Sequence, residues 1–302
     1  MAIAIAQHVG GEIINCDSTA VYRGFDIGTD KVPPAEQGGI PHHLVDIVEP
    51  TAEYTAADYA RDAARIVSEV QARGRVPIVA GGTGFYFRAL TRGLFPGQGK
   101  DDELRARLRN IAHRHRAGFL WRMVRRVDPA SAERILPGDE KRLVRALEVY
   151  FQTGKPLTAH FADTVSPLGP EVSVTALALR MDLTRLTVRL AQRVDAQFAA
   201  GLLEEVQGLL AGGVPPTARP FGGLVYRQVM DYLRGVRGLE ATRDLIVQEN
   251  RRYARRQLIW FRKEPTLIWF DGPGELPEVQ ASVLSGLAER GLSIDGGPAA
   301  HG

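Results

Sequence analysis

Gly10-Gly11-Glu12-Ile13-Ile14-Asn15-Cys16-Asp17-Ser18 is the stretch on which the fold turns. Glu12 to Cys16 is a short, mostly apolar run entered from a glycine pair. That is the pattern of a buried strand following a helix. Asp17 and Ser18 then fall at the strand's C-terminal end, the edge at which open α/β sheets gather ligands and catalytic groups. Two readings of Asp17-Ser18 stand side by side: an Asx turn or helix N-cap, or a carboxylate set out for chemistry. Downstream come Thr19-Ala20-Val21-Tyr22-Arg23-Gly24 and Asp26-Ile27-Gly28-Thr29-Asp30-Lys31, where turn formers alternate with an aromatic and two basic side chains.

The spacing Asp17-Ser18, Tyr22-Arg23-Gly24, Asp26-Ile27-Gly28-Thr29 and Lys31 resembles the segment after the first helix of the tRNA dimethylallyltransferases (tRNA isopentenyltransferases). Further motifs carry the same resemblance: His42-His43-Leu44 with Asp46-Ile47, Gly81-Gly82-Thr83 with Tyr86, Arg142-Leu143 with Arg145-Ala146-Leu147-Glu148-Val149, and Arg256-Gln257 with Trp260-Phe261-Arg262. It covers nearly the whole chain, from Met1 to about Phe270. At Gly222-Gly223-Leu224-Val225-Tyr226-Arg227-Gln228, Val225 stands where the family usually has glycine.

Composition narrows the class. The 302 residues carry a formal net charge of +3 and one cysteine, Cys16. A single thiol excludes an intramolecular disulfide and a thiolate metal cluster, and fits a cytoplasmic location. No apolar run approaches the ~20 residues needed to span a bilayer, and no signal peptide is visible. Charge is unevenly spread. Residues 105–145 hold 12 basic against 4 acidic side chains, and residues 243–263 hold 7 against 2. Two basic patches on an otherwise acidic chain point to a polyanionic partner or to solvated helix faces.

In chain order, Met1 to His8 reads as a helix stopped by Gly10-Gly11. Pro41 to Ile47 reads as a second strand. Its adjacent histidines face opposite ways and so do not easily chelate one metal. A helix runs from Tyr54 to about Arg73. Arg75 to Ala80 is a strand leading into the Gly81-Gly82-Thr83 turn, where glycine lets the backbone approach a ligand and Thr83 can cap a helix or bond a phosphate. A Gly/Pro loop near 93–100 marks a boundary. The expected organisation is an α/β core over residues 1–97 and 166–302 with a helical insertion over 98–165. Val174 to Leu179 reads as a core strand, Arg189 and Arg193 lie on a helix ending near Gly201, and the tail from Gly296 reads as disordered.

The resemblance implies a P-loop NTPase-like parallel sheet flanked by helices. It implies transfer of a dimethylallyl group from dimethylallyl diphosphate to the N6 amine of adenine 37 in tRNA, with Mg²⁺ as cofactor and the insertion gripping the anticodon stem. A monomer is expected. The resemblance assigns the general base to Asp17 and the diphosphate to Thr83 and Arg193. It assigns tRNA contacts to Asp17, Ser18, Thr19, Ala20, Thr83, Arg105, Lys141, Arg142, Leu143, Val144, Arg145, Tyr226 and Arg227. The family's phosphate loop, Gly-x-x-x-x-Gly-Lys-Ser/Thr, does not occur in this sequence; the strand before it is missing too. The expectation is therefore a poor catalyst as the chain stands, with a longer form as the working enzyme. Two other classes stay open: an RNA-binding remnant without catalysis, and a transferase acting on free adenine nucleotides. The arginine-rich insertion argues against the latter, since a free nucleotide needs no such surface.

Overall fold

The computed structural model describes residues 1–95, 97 and 99–292. Helix α1 (Ala2–Val9) ends at Gly10, whose φ of 63° lies in the left-handed region and whose N–H returns to the Ala6 carbonyl. This is the glycine stop read from the sequence. The chain passes directly into β1 (Gly11–Asn15), with its first four residues buried. β1 is the middle strand of a parallel sheet of order β2-β1-β3, where β2 is His42–His43 and β3 is Val76–Ala80.

β2 is shorter than the strand expected to reach Ile47. Leu44 and Asp46 adopt φ of 59° and 54°, values that end a strand for a non-glycine residue. Specific bonds favour the bend. The Leu44 carbonyl accepts from Asn15 Nδ2 at 3.0 Å, and the Asp46 carboxylate pairs with Lys31. The two histidines diverge: His43 Nε2 lies 2.7 Å from Glu12 Oε2, while His42 Nδ1 lies 2.8 Å from the Ile40 carbonyl. Glu12, buried in β1, is also gripped by Arg73 Nε and Nη2 at 3.1 and 2.6 Å. Helix α2 (Ala56–Ala72) opens with a capping box between Thr55 and Asp58 and buries Tyr59, Ala63, Ile66 and Val70. Helix α3 (Gly84–Arg92) follows β3.

Contacts divide the chain into two units, Met1–Thr91 with Leu168–Gly302, and Arg92–Pro167. The second unit is all helical: α4 (Asp102–Arg114), α5 (Phe119–Val127), α6 (Pro129–Arg134), α7 (Glu140–Thr153) and α8 (Leu157–His160). Its core gathers Leu108, Leu120, Val124, Leu143, Val144 and Leu147. Asp128, 1 % exposed, caps α6 through Ser131 and holds Thr158 at the start of α8.

The first unit resumes with β4 (Ala176–Arg180), α9 (Leu183–Ala199), α10 (Leu202–Ala211), α11 (Leu224–Leu233), α12 (Leu239–Phe261), β5 (Leu267–Asp271) and α13 (Pro277–Ala288). β4 and β5 form a second parallel pair, closed by a two-point ion pair between Arg180 and Asp271 at 2.6 and 2.9 Å. The sequence reading placed no strand over Leu267-Ile268-Trp269-Phe270. A run this short, close behind an aromatic-rich helix, has no periodicity of its own to separate it from the helix. The fold is α/β: parallel strands flanked by helices, with a helical insertion. Among the described residues no helix is long and apolar enough to cross a membrane. The tail from Gly296 lies outside the described residues.

Candidate active site

The backbone leaves β1 at Asn15 and turns at once. Asp17 Oδ1 accepts from the Thr19 and Ala20 N–H groups at 2.7 and 3.1 Å. The Asx-turn reading is therefore correct for one carboxylate oxygen. The other, Oδ2, lies outside the turn and accepts from the Thr83 hydroxyl at 3.5 Å. The same hydroxyl accepts from the Ser18 N–H at 3.2 Å, and the Thr83 N–H donates to the Cys16 carbonyl at 3.1 Å. Two strand ends separated by more than sixty residues are thereby tied into one edge. Gly81 permits this approach, because a Cβ there would collide with the Cys16 carbonyl. Burial pushes the Cys16 thiol up to about 12, so it stays neutral and unreactive.

Helix α12 closes this edge. Gln257 Nε2 donates to the Gly82 carbonyl at 2.8 Å, and the Trp260 ring covers Gly84. Arg88 lies over Trp260 at 4.6 Å and pairs with buried Glu264 at 2.6 Å. The Arg-Gln-x-x-Trp motif thus acts by holding the glycine turn. The sequence reading missed Tyr253, also on α12. Desolvation and the charge of Asp17 raise its phenol, and a hydrogen bond with Thr83 opposes them. Tyr253 is therefore part of the Asp17–Thr83 cluster. Tyr86 is not exposed to a ligand; its ring stacks on Tyr59 at 4.3 Å.

Arg193 reaches the site from α9. It pairs with Asp30, and its side chain is 48 % exposed. Desolvation lowers its guanidinium from the ordinary value, and the charge of Asp17 works against that; the group stays cationic. The loop from Asp26 to Lys31 is held from below. Glu205 Oε2 accepts from the Asp26 and Ile27 N–H groups at 2.9 and 2.7 Å, and Oε1 accepts from the Tyr226 hydroxyl at 2.6 Å. That hydroxyl accepts in turn from the Gly28 N–H at 3.0 Å. Nothing in the sequence marked Glu205. Lys31 is buried between Asp26 and Asp46 and donates to the Tyr22 carbonyl at 2.6 Å.

Several residues expected at an RNA surface lie elsewhere. Tyr226 is 1 % exposed and braces the loop. Ala20 is buried, and Leu143 and Val144 sit in the core of the helical unit. Helical periodicity explains the last pair: Leu143 and Val144 fall on the stripe of α7 that also carries Ala146 and Leu147 and faces the core of the unit. Arg105 and Arg145 converge on Glu148, which is fully buried. Lys141 and Arg142 remain exposed, with Arg142 at 72 % and loosely paired with Asp139 at 3.3 Å. Ser18 is exposed, and Thr19 half-buried.

Among the described residues no group of three His, Cys, Asp or Glu side chains is placed to hold a metal. Asp17 offers a single oxygen, which does not make a protein-built Mg²⁺ cage.

A family model described as IPP transferase matches residues 20–264. The chain belongs to the IPP transferase family. The chain is similar to the tRNA dimethylallyltransferase of Geobacter sulfurreducens, 42 % identical over 284 residues, which cover 94 % of this chain and 91 % of that protein. The tRNA dimethylallyltransferase of Symbiobacterium thermophilum is 46 % identical over 275 residues, 91 % of this chain and 85 % of that one. The fold agrees. The tRNA isopentenylpyrophosphate transferase of Bacillus halodurans superposes with a TM-score of 0.70 at 30 % identity, over 96 % of this chain and 91 % of that one. A eukaryotic dimethylallyltransferase acting on tRNA superposes with a TM-score of 0.74 at 24 % identity, over 96 % and 75 %, and supports the fold alone.

Proposed function

We propose that this IPP transferase family member moves a dimethylallyl group from dimethylallyl diphosphate to the N6 amine of adenine 37 in tRNA. The single observation that carries the reading is the division of labour in Asp17. One oxygen is fixed by two backbone N–H groups, and the other faces the Thr83 hydroxyl.

The chemistry follows. An aryl amine is a weak nucleophile, so its proton must leave as the new bond forms. The N6 nitrogen attacks C1 of the dimethylallyl group, the C1–O bond to diphosphate breaks, and the N6 proton passes to Asp17 Oδ2. Thr83 orients that oxygen. Arg193 meets the charge that develops on the leaving diphosphate, exchanging its exposed pairing with Asp30 for the anion. Ser18 and Thr19 are exposed enough to border the base, and the adenine must leave its stack to reach Asp17. Mg²⁺ is proposed as a companion of the diphosphate that neutralises part of its charge, not as an ion caged by this chain. A cytoplasmic monomer is part of the same reading.

The direct test is transfer of a labelled dimethylallyl group to an anticodon stem-loop bearing adenine at position 37, beside the same stem-loop bearing guanine. Label on the adenine stem-loop alone is expected; label on neither overturns the reading and leaves an RNA-binding protein.

The helical unit is proposed to take phosphates of the stem through Lys141 and Arg142. Arg142→Ala is expected to flatten the slope of log K against log salt by about 0.7–0.9, the signature of one phosphate left without its cation. Fluorescence anisotropy with a labelled stem-loop measures it, and an unchanged slope removes Arg142 from the interface.

A further inference from the structure

A groove of about 310 Å³ opens on the first unit between the turn at 216–222 and α11. Phe221 and Met230, 3 % and 5 % exposed, lie beneath it. Its rim carries three guanidinium groups, Arg219, Arg227 and Arg234. Resemblance had singled out Arg227 alone, and neither the mechanism above nor the family match assigns Arg219 or Arg234.

Each rim arginine is loosely engaged. Arg219 lies 3.3 Å from Glu53, Arg227 lies 3.8 Å from Glu249, and Arg234 lies 3.9 Å from Asp231. Their side chains are 57 %, 53 % and 56 % exposed. Exposed pairs of this kind contribute little, and each fork keeps most of its five N–H donors for a better partner. Planar guanidinium forks over an apolar floor suit phosphodiester oxygens, which they bind in pairs. The groove also adjoins the reaction centre. Gly222 forms part of its wall, and the next residue, Gly223, packs beside Thr19, two residues from Asp17; a Cβ on Gly223 would stand 3.7 Å from Thr19 Cγ2.

We propose that this groove binds the phosphodiester backbone of the RNA substrate, through Arg219 and Arg234 with Arg227, as the strand runs on from the base at Asp17. The inference rests on the activity proposed above. It adds a second basic surface, on the α/β core, to the one on the helical unit.

The experiment uses the full chain and three proteins: wild type, the pair Arg219→Ala with Arg234→Ala, and the pair Arg219→Lys with Arg234→Lys. Stem-loop affinity is measured across a salt series. The alanine pair is expected to flatten the slope of log K against log salt by about 0.7–0.9 for each arginine removed. The lysine pair is expected to keep the wild-type slope, because charge and not packing sets it. A wild-type slope in the alanine pair, with transfer by wild type intact, overturns the groove and leaves the activity standing. A lysine pair that behaves like the alanine pair also overturns it, since a packing role would produce that result. Weaker binding of inorganic diphosphate in the alanine pair, with stem-loop slope unchanged, marks a free-anion site and overturns the RNA assignment. Wild type that neither binds nor modifies the stem-loop overturns both proposals together.

Discussion

Asp17→Asn is expected to lower the single-turnover rate of prenyl transfer by about 10²–10⁴-fold, the usual weight of a positioned general base, while stem-loop affinity stays near wild type. The local geometry makes this substitution informative. The asparagine carbonyl can replace Oδ1 and go on accepting from the Thr19 and Ala20 N–H groups. The turn that carries the residue is therefore kept. What changes is Oδ2, whose place is taken by an amide nitrogen that cannot accept the proton. A loss smaller than ~10-fold would end the general-base assignment, being below the range such catalysis spans. A collapse of affinity alongside the rate would show instead that the turn had moved.

The second large effect is on stability. Glu148 is wholly buried in α7 and accepts from three residues: Arg105 Nε and Nη2 at 2.7 and 2.9 Å, Arg145 Nη1 at 2.6 Å, and the Asp101 N–H at 2.9 Å. Glu148→Ala leaves two guanidinium groups facing the vacated space, a change of about 3–5 kcal/mol when one member of a buried pair is removed. The arginines are 21 % and 34 % exposed and can turn partly to water, so the lower end is expected. Hydrogen exchange at the amides of Leu143 to Val149 should report the loss, with the amides of β1 unaffected; unchanged protection in α7 would refute the role. The pH dependence has a definite sign. Burial opposes the charge on Glu148, but the bonds from Arg105 and Arg145 outweigh it and hold the carboxyl below its usual range. A depressed folded-state value adds stability above the unfolded value, near 4.3 for glutamate, and loses it as pH falls through the folded value. The helical unit should therefore open in acid, and Glu148→Gln should lack that component of the acid transition.

The parts of this protein that a sequence shows are those built from neighbours in the chain. Glu12 to Cys16 declared a strand because its apolar run is short and enclosed, and the Gly10 stop lies beside it. Asp17 and Thr83 were legible as end-of-strand residues for the same reason. Their hydrogen bond was not, because strand pairing alone brings them together. Pro41 to Ile47 read as a longer strand because the left-handed backbone of Leu44 and Asp46 is set by partners on other segments. Arg105 and Arg145 read as a phosphate surface because charge is visible in a sequence and the carboxylate beneath it is not. Glu148 stood in plain view within a motif, yet only packing shows that it lies under both arginines. Glu205 and Gln257 act on backbone groups far away in sequence, where no side-chain pattern marks the target.

Three of those long-range bonds set a rule for recombination. Gly28 meets Tyr226 across a separation of 198 residues, Ile27 meets Glu205 across 178, and Gly82 meets Gln257 across 175. Every pair has one member before residue 92 and the other after residue 167, in the same unit. A single crossover between two diverged relatives, anywhere inside the helical unit, would divorce all three pairs at once and join halves that drifted apart separately. A double crossover at its two borders would exchange the unit as a cassette and leave each pair with its original mate. Descent should thus permit the helical unit an ancestry of its own, while the two flanking segments are inherited as one.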